Sequence, residues 1–327
     1  MNAPSTNPPT PLEVLPRDLQ AYRKGNTGID YVHRFESGRP GPNVLINALT
    51  HGNEFCGMSA ITHLLDTAVR PKIGSLTLSF SNVAAYESFD ATRPFESRQL
   101  VHNFNRIWSE DLLNSAEQSP ELVRARELRP VFAQADHLLD LHSTSQDVEP
   151  FWVYQSFERN ALLACAMGTP SVHMSMPQGL GSGVPIIQYG HFAAPTGTGS
   201  ALVAECGQHF LRNTSTLALG VAEAFLGYFG LITVNEPRPR PPPQRRFELL
   251  KTCMVKTAQF RFTGAYKGFE SFPKDALIAT DADDEIRALC EDCTILMPTR
   301  HPVVGREAVY LTRPIHAAEL GRAFIRS

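Results

Sequence analysis

Cysteine is scarce, with six residues in 327, at positions 56, 165, 206, 253, 290 and 293, mostly in apolar surroundings. So sparse a set does not read as a disulfide framework, and reduced thiols in a cytoplasmic protein are the expectation. Cys290 and Cys293 form a lone CxxC pair, "CEDC". A zinc ribbon needs a second pair, and a redox site needs a strand-to-helix context that is missing here, so the two are read as unpaired thiols. Charge of one sign is also lacking, since 30 basic and 33 acidic residues give a net charge of −3. That balance offers no electrostatic footprint for nucleic acid and no basic membrane surface. No apolar run approaches the length of a membrane span. The opening "MNAPSTNPPTPLEVLP" has neither the basic segment nor the apolar core of a secretory signal, and reads as a loose tail over residues 1–20.

What is present is an ordinary globular composition, 43% hydrophobic and 19% charged, in a chain long enough to bury a large core without staples. "NVLINAL" (43–49) is nearly all apolar, as a strand covered on both faces should be, and "LTLSFSNV" (76–83) reads as a second strand. Between them "FCGMSAITHLLDTA" (55–68) carries apolar residues at helical spacing. Strand, helix and strand in that order imply a crossover unit in a parallel or mixed sheet, and hence an α/β fold. A helix is expected over 121–135, strands over 136–143 and 200–207, and a helix over 214–230 capped by Thr214 or Ser215 and ended by Gly230. Residues 235–246, "NEPRPRPPPQRR", hold five prolines and four arginines and read as an extended linker. They divide an α/β domain over 21–234 from a smaller β-rich domain over 247–327.

Three polar clusters stand at the ends of the expected buried strands: His51 with Glu54 in "THGNE", His142 in "DLHST", and Glu205 in "VAECG". Ligand crevices in open α/β sheets form at such strand ends. A catalytic zinc site uses three protein ligands, a mixture of histidine and carboxylate, and leaves a position for water. His51, Glu54 and His142 fit that count. The HxxE spacing lets two side chains turn to one point, with Gly52 read as permitting a tight turn, and a separate strand supplies the third. Each residue alone has a plainer reading, because a single strand-end histidine is more often just hydrogen-bonded. Glu205 in the middle of "ALVAECG" needs some compensating partner.

"THGNE", "FNRIW", "DLHST" and "VAECG", in this order and at these separations, resemble the succinylglutamate desuccinylase and aspartoacylase family. The resemblance runs from about Asn47 to Gly207. It implies a mixed-sheet, zinc-carboxypeptidase-like α/β domain with an appended C-terminal β-rich domain, which agrees with the linker at 235–246. It further implies one zinc ion per chain held by His51, Glu54 and His142, with Glu205 as the catalytic carboxylate acting on zinc-activated water. Arg98 matches an arginine that stabilises the oxyanion. Asn105 and Arg106 match the pair that holds a substrate carboxylate, a task suited to the planar guanidinium fork. Tyr310 resembles a tyrosine lent to the pocket by the β-rich domain, although a core aromatic on a strand fits there equally well. The implied activity is hydrolysis of the amide bond of a small N-acyl amino acid, a carbon–nitrogen bond of a linear amide.

This chain departs from the family pattern in two places. Asn103 stands where an aspartate usually precedes the Asn-Arg pair. Lysine and arginine are absent from Asn160 through Leu211, where aspartoacylase-like enzymes carry an arginine for a second substrate carboxylate. The side chain recognised is therefore not obviously acidic, and the uncharged stretch 179–200, with six glycines, is expected to line that part of the pocket as a lid or a static loop. A zinc carboxypeptidase or peptide amidase is the rival inside enzymology, and a non-catalytic zinc-binding module is the rival outside it. No nucleic-acid or membrane partner is expected, and the sequence leaves both a monomer and a homo-oligomer open.

Overall fold

The computed structural model describes residues 12–234 and 243–315. The tail residues 1–11, the linker residues 235–242 and residues 316–327 lie outside the described residues. The first seven strands are β1 (Val32–Glu36), β2 (Asn43–Ala48), β3 (Ser75–Phe80), β4 (His137–Thr144), β5 (Phe151–Gln155), β6 (Val172–Met176) and β7 (Ser200–Gln208). They are followed by β8 (Arg245–Met254), β9 (Arg261–Phe262), β10 (Ser271–Phe272), β11 (Leu277–Asp281), β12 (Asp284–Arg287), β13 (Cys293–Leu296) and β14 (Glu307–Pro314). Eleven of them form one mixed sheet in the order β1-β3-β2-β4-β7-β5-β6-β8-β14-β13-β10, and β12-β11-β9 form a small antiparallel sheet. The fold is the expected α/β arrangement with a large mixed sheet and β-rich C-terminal strands. Arg245 and Arg246, from the Pro/Arg-rich stretch, already belong to β8, which pairs in parallel with β6 and so extends the large sheet.

The parallel centre, β3-β2-β4-β7, follows from sequence in a direct way. Side chains of a strand alternate between faces. In β2, Val44, Ile46 and Ala48 enter one apolar cluster and Leu45 the other. The first cluster is closed by the helices Phe55–Asp66 and Arg212–Tyr228, and the second by the helix Pro120–Gln134. Both faces are covered, so the strand is apolar throughout. Each fully buried Leu or Ile contributes about 1.5–3 kcal/mol, enough for these clusters to pin the strand ends.

Two local expectations are corrected. The strand at 76–83 stops at Phe80, because Asn82 accepts a hydrogen bond from the Ala85 amide at 3.4 Å and starts a short helix, Val83–Glu87. The last long helix begins at Arg212, so Thr214 and Ser215 lie inside it and neither caps it. Its exposed Arg212 amide is taken instead by the Glu13 carboxylate at 3.0 Å, a partner 199 residues away. A carboxylate suits the positive end of a helix, and it replaces the local cap. Gly230 does follow the helix, at φ +72°.

Candidate active site

Strand period and register build one wall of the site. Asn47 on β2 stands beside Asp140 on β4, and His142 beside Glu205 on β7. With a period of two, Asn47, Asp140, His142 and Glu205 all point to the face of the second apolar cluster. The second wall is the turn after β2. Its backbone leaves the strand through Leu49, at φ +56°. Gly52, read from sequence as a tight-turn residue, is required for a different reason. A Cβ there would meet the Ser97 carbonyl oxygen and backbone atoms of Ala85 and Tyr86, each at 2.4 Å, so the role of the glycine is close packing.

His51, Glu54 and His142 are all buried, and their ligand atoms lie within 4.8 Å of one another, a grouping able to hold a metal ion. Glu54 is the hub. Its Oε1 lies 2.8 Å from His51 Nδ1 and accepts from Arg98 Nη1 at 3.0 Å. Its Oε2 lies 3.0 Å from His142 Nδ1 and accepts from the Ser143 amide at 3.2 Å. Each imidazole turns its other nitrogen to an oxygen: His142 Nε2 is 2.7 Å from Asp140 Oδ2, and His51 Nε2 is 3.0 Å from Asn103 Oδ1. An Nε2–H donated outward leaves the Nδ1 lone pair on each ring facing Glu54, the arrangement a metal-ligating histidine needs. Asp140 is itself held by Asn47 Nδ2 at 2.8 Å and Thr50 Oγ1 at 2.9 Å, in a fully buried network.

The electrostatics follow from burial and proximity. Burial works to raise the Glu54 carboxyl, but the two imidazoles outweigh it and hold it well below the usual carboxylate range. Burial lowers His51 to about 4, and the nearby Arg98 charge adds to the effect. Glu205 moves the opposite way: burial, reinforced by the Glu54 charge, pushes it up to about 8. Its Oε2 has no hydrogen-bond partner among the described residues. This buried oxygen lies on the strand that pairs with His142.

The cations named from sequence are brought to the same place. Arg98 is the last residue of a short 3-10 turn, Glu96–Arg98, and reaches Glu54. Arg106 Nη2 lies 3.2 Å from the hydroxyl of Tyr310, which is buried in the second apolar cluster, so Tyr310 is at once a core aromatic and a polar contact of that guanidinium. Asn105 is buried and accepts the Ile186 amide through Oδ1 at 2.9 Å. The glycine-rich stretch is stapled here as well. The Val184 amide donates to the Arg106 carbonyl at 3.1 Å, and a Cβ on Gly183 would lie 2.5 Å from that carbonyl oxygen. Asn103 stands in for the missing aspartate by bridging His51 and the Asn105 amide, the latter at 3.0 Å. Three further histidines have partners of their own: His209 Nδ1 lies 2.9 Å from Ser143 Oγ, His102 pairs with Glu117, and His191 with the Ala135 carbonyl.

Several residues of the site escape a reading by motif. Asp140 could have been found, because it lies two positions before His142 on one strand and therefore on the same face. Ser182 and Glu307 give no local signal. Both reach Arg106: Nε is 2.9 Å from Ser182 Oγ and 2.9 Å from Glu307 Oε1, and Nη2 is 2.7 Å from that same carboxylate oxygen.

The Succinylglutamate desuccinylase/Aspartoacylase catalytic domain family matches residues 40–208, more than half of the chain. No curated protein matches by sequence. Solved structures show the same fold. The succinylglutamate desuccinylase from Vibrio cholerae is 17% identical, with 87% of this chain and 86% of that one covered at a TM-score of 0.67. The succinylglutamate desuccinylase from Chromobacterium violaceum is 20% identical, covering 88% and 90% at a TM-score of 0.63. An aspartoacylase family protein from Mesorhizobium loti is 16% identical, covering 90% and 93% at a TM-score of 0.59. With the family's catalytic domain spanning the two histidines, Glu54 and Glu205, the chain belongs to the succinylglutamate desuccinylase/aspartoacylase family.

Proposed function

We propose that the protein is a zinc-dependent amidohydrolase that cleaves the amide bond of a small N-acyl amino acid, releasing a carboxylic acid and a free amino acid. One observation carries the reading: the buried His51–Glu54–His142 group lies beside a carboxyl, Glu205, whose Oε2 is unpartnered. Two imidazole nitrogens and one carboxylate form the three-ligand donor set of a catalytic zinc site, so these residues fit the ion, one per chain. Bound there, zinc supplies Lewis acidity, lowering the pKa of a water and polarising a carbonyl oxygen.

The chain's own groups supply the rest. Glu205 Oε2 takes the proton of the attacking water and returns it to the leaving amine. A carboxylate beside the ligand group is suited to accept the proton of the attacking water and to deliver it to the amine. Arg98 is held by Glu54 and partly exposed, and it offers its remaining N–H groups to the carbonyl oxygen as negative charge develops there. The remaining Nη1 N–H of Arg106 and the Tyr310 hydroxyl hold the substrate carboxylate, and Asn105 fixes the loop that flanks them. The reading includes a division into a catalytic unit over 21–234 and a β-rich unit over 247–327, and a cytoplasmic protein, supported by six cysteines all present as free thiols. Among the described residues no helix is long and apolar enough to cross a membrane.

The test is ninhydrin-detected release of amino acids from N-acetyl, N-formyl and N-succinyl amino acids, with zinc-loaded wild type and Glu205→Gln side by side. Release by wild type alone supports the deacylase. Near-normal turnover by Glu205→Gln sinks the mechanism, and trimming of peptides from the C-terminus instead would identify a carboxypeptidase.

A further inference from the structure

The two arginines assigned to substrate stand at the ends of one loop, residues 98–106, and that loop also braces the turn after β2. The Arg98 carbonyl accepts the Gly52 amide at 3.1 Å, Arg98 Nη1 donates to Glu54, and Asn103 Oδ1 faces His51 Nε2. Between these points Leu100 and Val101 are exposed, so apolar burial contributes little to the middle of the loop. A buried carboxylate holds it instead. Glu121, in the first turn of the helix Pro120–Gln134, accepts three successive loop amides. Leu100 donates to Oε1 at 2.7 Å, Val101 to Oε1 at 3.2 Å and Oε2 at 3.3 Å, and His102 to Oε2 at 3.2 Å. An acid in a first helical turn is ordinary at a surface, where it answers the helix dipole. Glu121, however, is 0% exposed. Burying a carboxylate is costly unless hydrogen bonds to the charged group replace its water, and here the loop backbone provides them.

We infer that Glu121 is a positioning residue for the hydrolysis: by fixing the loop 98–106 it sets where Arg98 meets the carbonyl oxygen and where Arg106 meets the substrate carboxylate. The inference rests on the deacylase reading for those two contacts. Glu121 acts through the arginines, since its carboxylate faces the loop backbone. Arg98 lies two residues before Leu100 and Arg106 four after His102, so both side chains hang from the anchored amides by short tethers. The charge and shape of the anchor both matter. Two carboxylate oxygens gather three N–H groups, whereas a glutamine offers one oxygen and turns its own N–H groups toward donors. At least one loop amide would then lose its partner, and the loop would leave its present course. A shift of about 1 Å in a positioning group is enough to cost about 100-fold in rate.

The experiment follows hydrogen exchange by mass spectrometry in zinc-free and zinc-loaded wild type, Glu121→Gln and Glu121→Asp. Each zinc-loaded protein is also assayed on the N-acyl amino acid that wild type cleaves fastest, and titrated calorimetrically with butyrate, an unreactive carboxylate. In Glu121→Gln the amides of 99–106 should exchange about tenfold faster or more, while those of β4 keep their wild-type rates. Its kcat should fall and its KM rise together, lowering kcat/KM by about 10–100-fold, and butyrate should bind more weakly. A role confined to overall stability would instead speed exchange across the chain and leave kcat and KM of the folded protein at wild-type values. Glu121→Asp keeps both acceptor oxygens but reaches one methylene less, so it should disturb the same amides by a smaller factor. It decides the matter should Glu121→Gln not fold. Wild-type exchange over 99–106 in a folded variant overturns the inference, and so do wild-type kcat and KM where that exchange has risen. If no protein, wild type included, releases amino acid, the deacylase reading fails, and local exchange with butyrate affinity still decides whether Glu121 positions the loop and Arg106.

Discussion

Asp140 Oδ2 lies 2.7 Å from Nε2 of His142, two residues along the same strand and on the same face. The carboxylate is buried and already satisfied by Asn47 and Thr50, so it holds the ring with Nδ1 turned toward Glu54. Replacing such a partner of a ligating histidine characteristically costs about 10–100-fold in metal affinity. Asp140→Asn should show a loss of that size in competition with a zinc chelator, with its far-UV circular dichroism unchanged. Affinity equal to wild type would separate Asp140 from the metal centre.

Asn103 performs the same task for His51 with a neutral amide at 3.0 Å. A charged acceptor holds an imidazole N–H more strongly than a neutral one. Asn103→Asp should therefore slow zinc loss to a chelator by on the order of threefold to tenfold, and Asn103→Ala should speed it by about tenfold. Equal rates for all three proteins would count against an orienting role.

Gly52 is enclosed by backbone atoms of Ala85, Tyr86 and Ser97. Gly52→Ala has no flexible side chain to push aside, so the turn carrying His51 and Glu54 must shift. Overpacking of this kind costs about 1–3 kcal/mol. The substitution should lower the urea midpoint accordingly and weaken zinc retention together with it. Loss of stability with unaltered zinc binding would show that the turn relaxes elsewhere.

Glu307 contributes stability with a defined pH dependence. Its carboxyl is near 4.5 in an unfolded chain and about 2 in the folded protein. A carboxyl held lower in the folded state stabilises fully above its unfolded value and loses that contribution as pH falls toward its folded value. The gap corresponds to on the order of 3 kcal/mol. Wild type should exceed Glu307→Gln in unfolding free energy by a roughly constant amount from pH 8 to pH 5, and the gap should narrow below about pH 4.5. A gap that widens on acidification would contradict the Arg106 pairing as its source.

Much of this protein is legible in local sequence, for physical reasons. Near-continuous apolar runs, as strands covered on both faces require, mark β2 and β7, and a helical period marks Phe55–Asp66 and Pro120–Gln134. Strand ends then place His51, Glu54, His142 and Glu205 near one another, because a parallel centre delivers its C-terminal ends to one edge. Spacing also exposes the two departures, Asn103 and the missing cations before Glu205.

The tertiary structure decided which partner each polar group meets. Glu13 displaced Thr214 and Ser215 at a helix start across 199 residues, and Glu307 reached Arg106 across 201. Gly52 serves close packing that its own neighbours in sequence do not reveal. Periodicity records only whether a residue faces core or solvent. The identity of the group it touches depends on strand order and register, which are set by the packing of the whole chain.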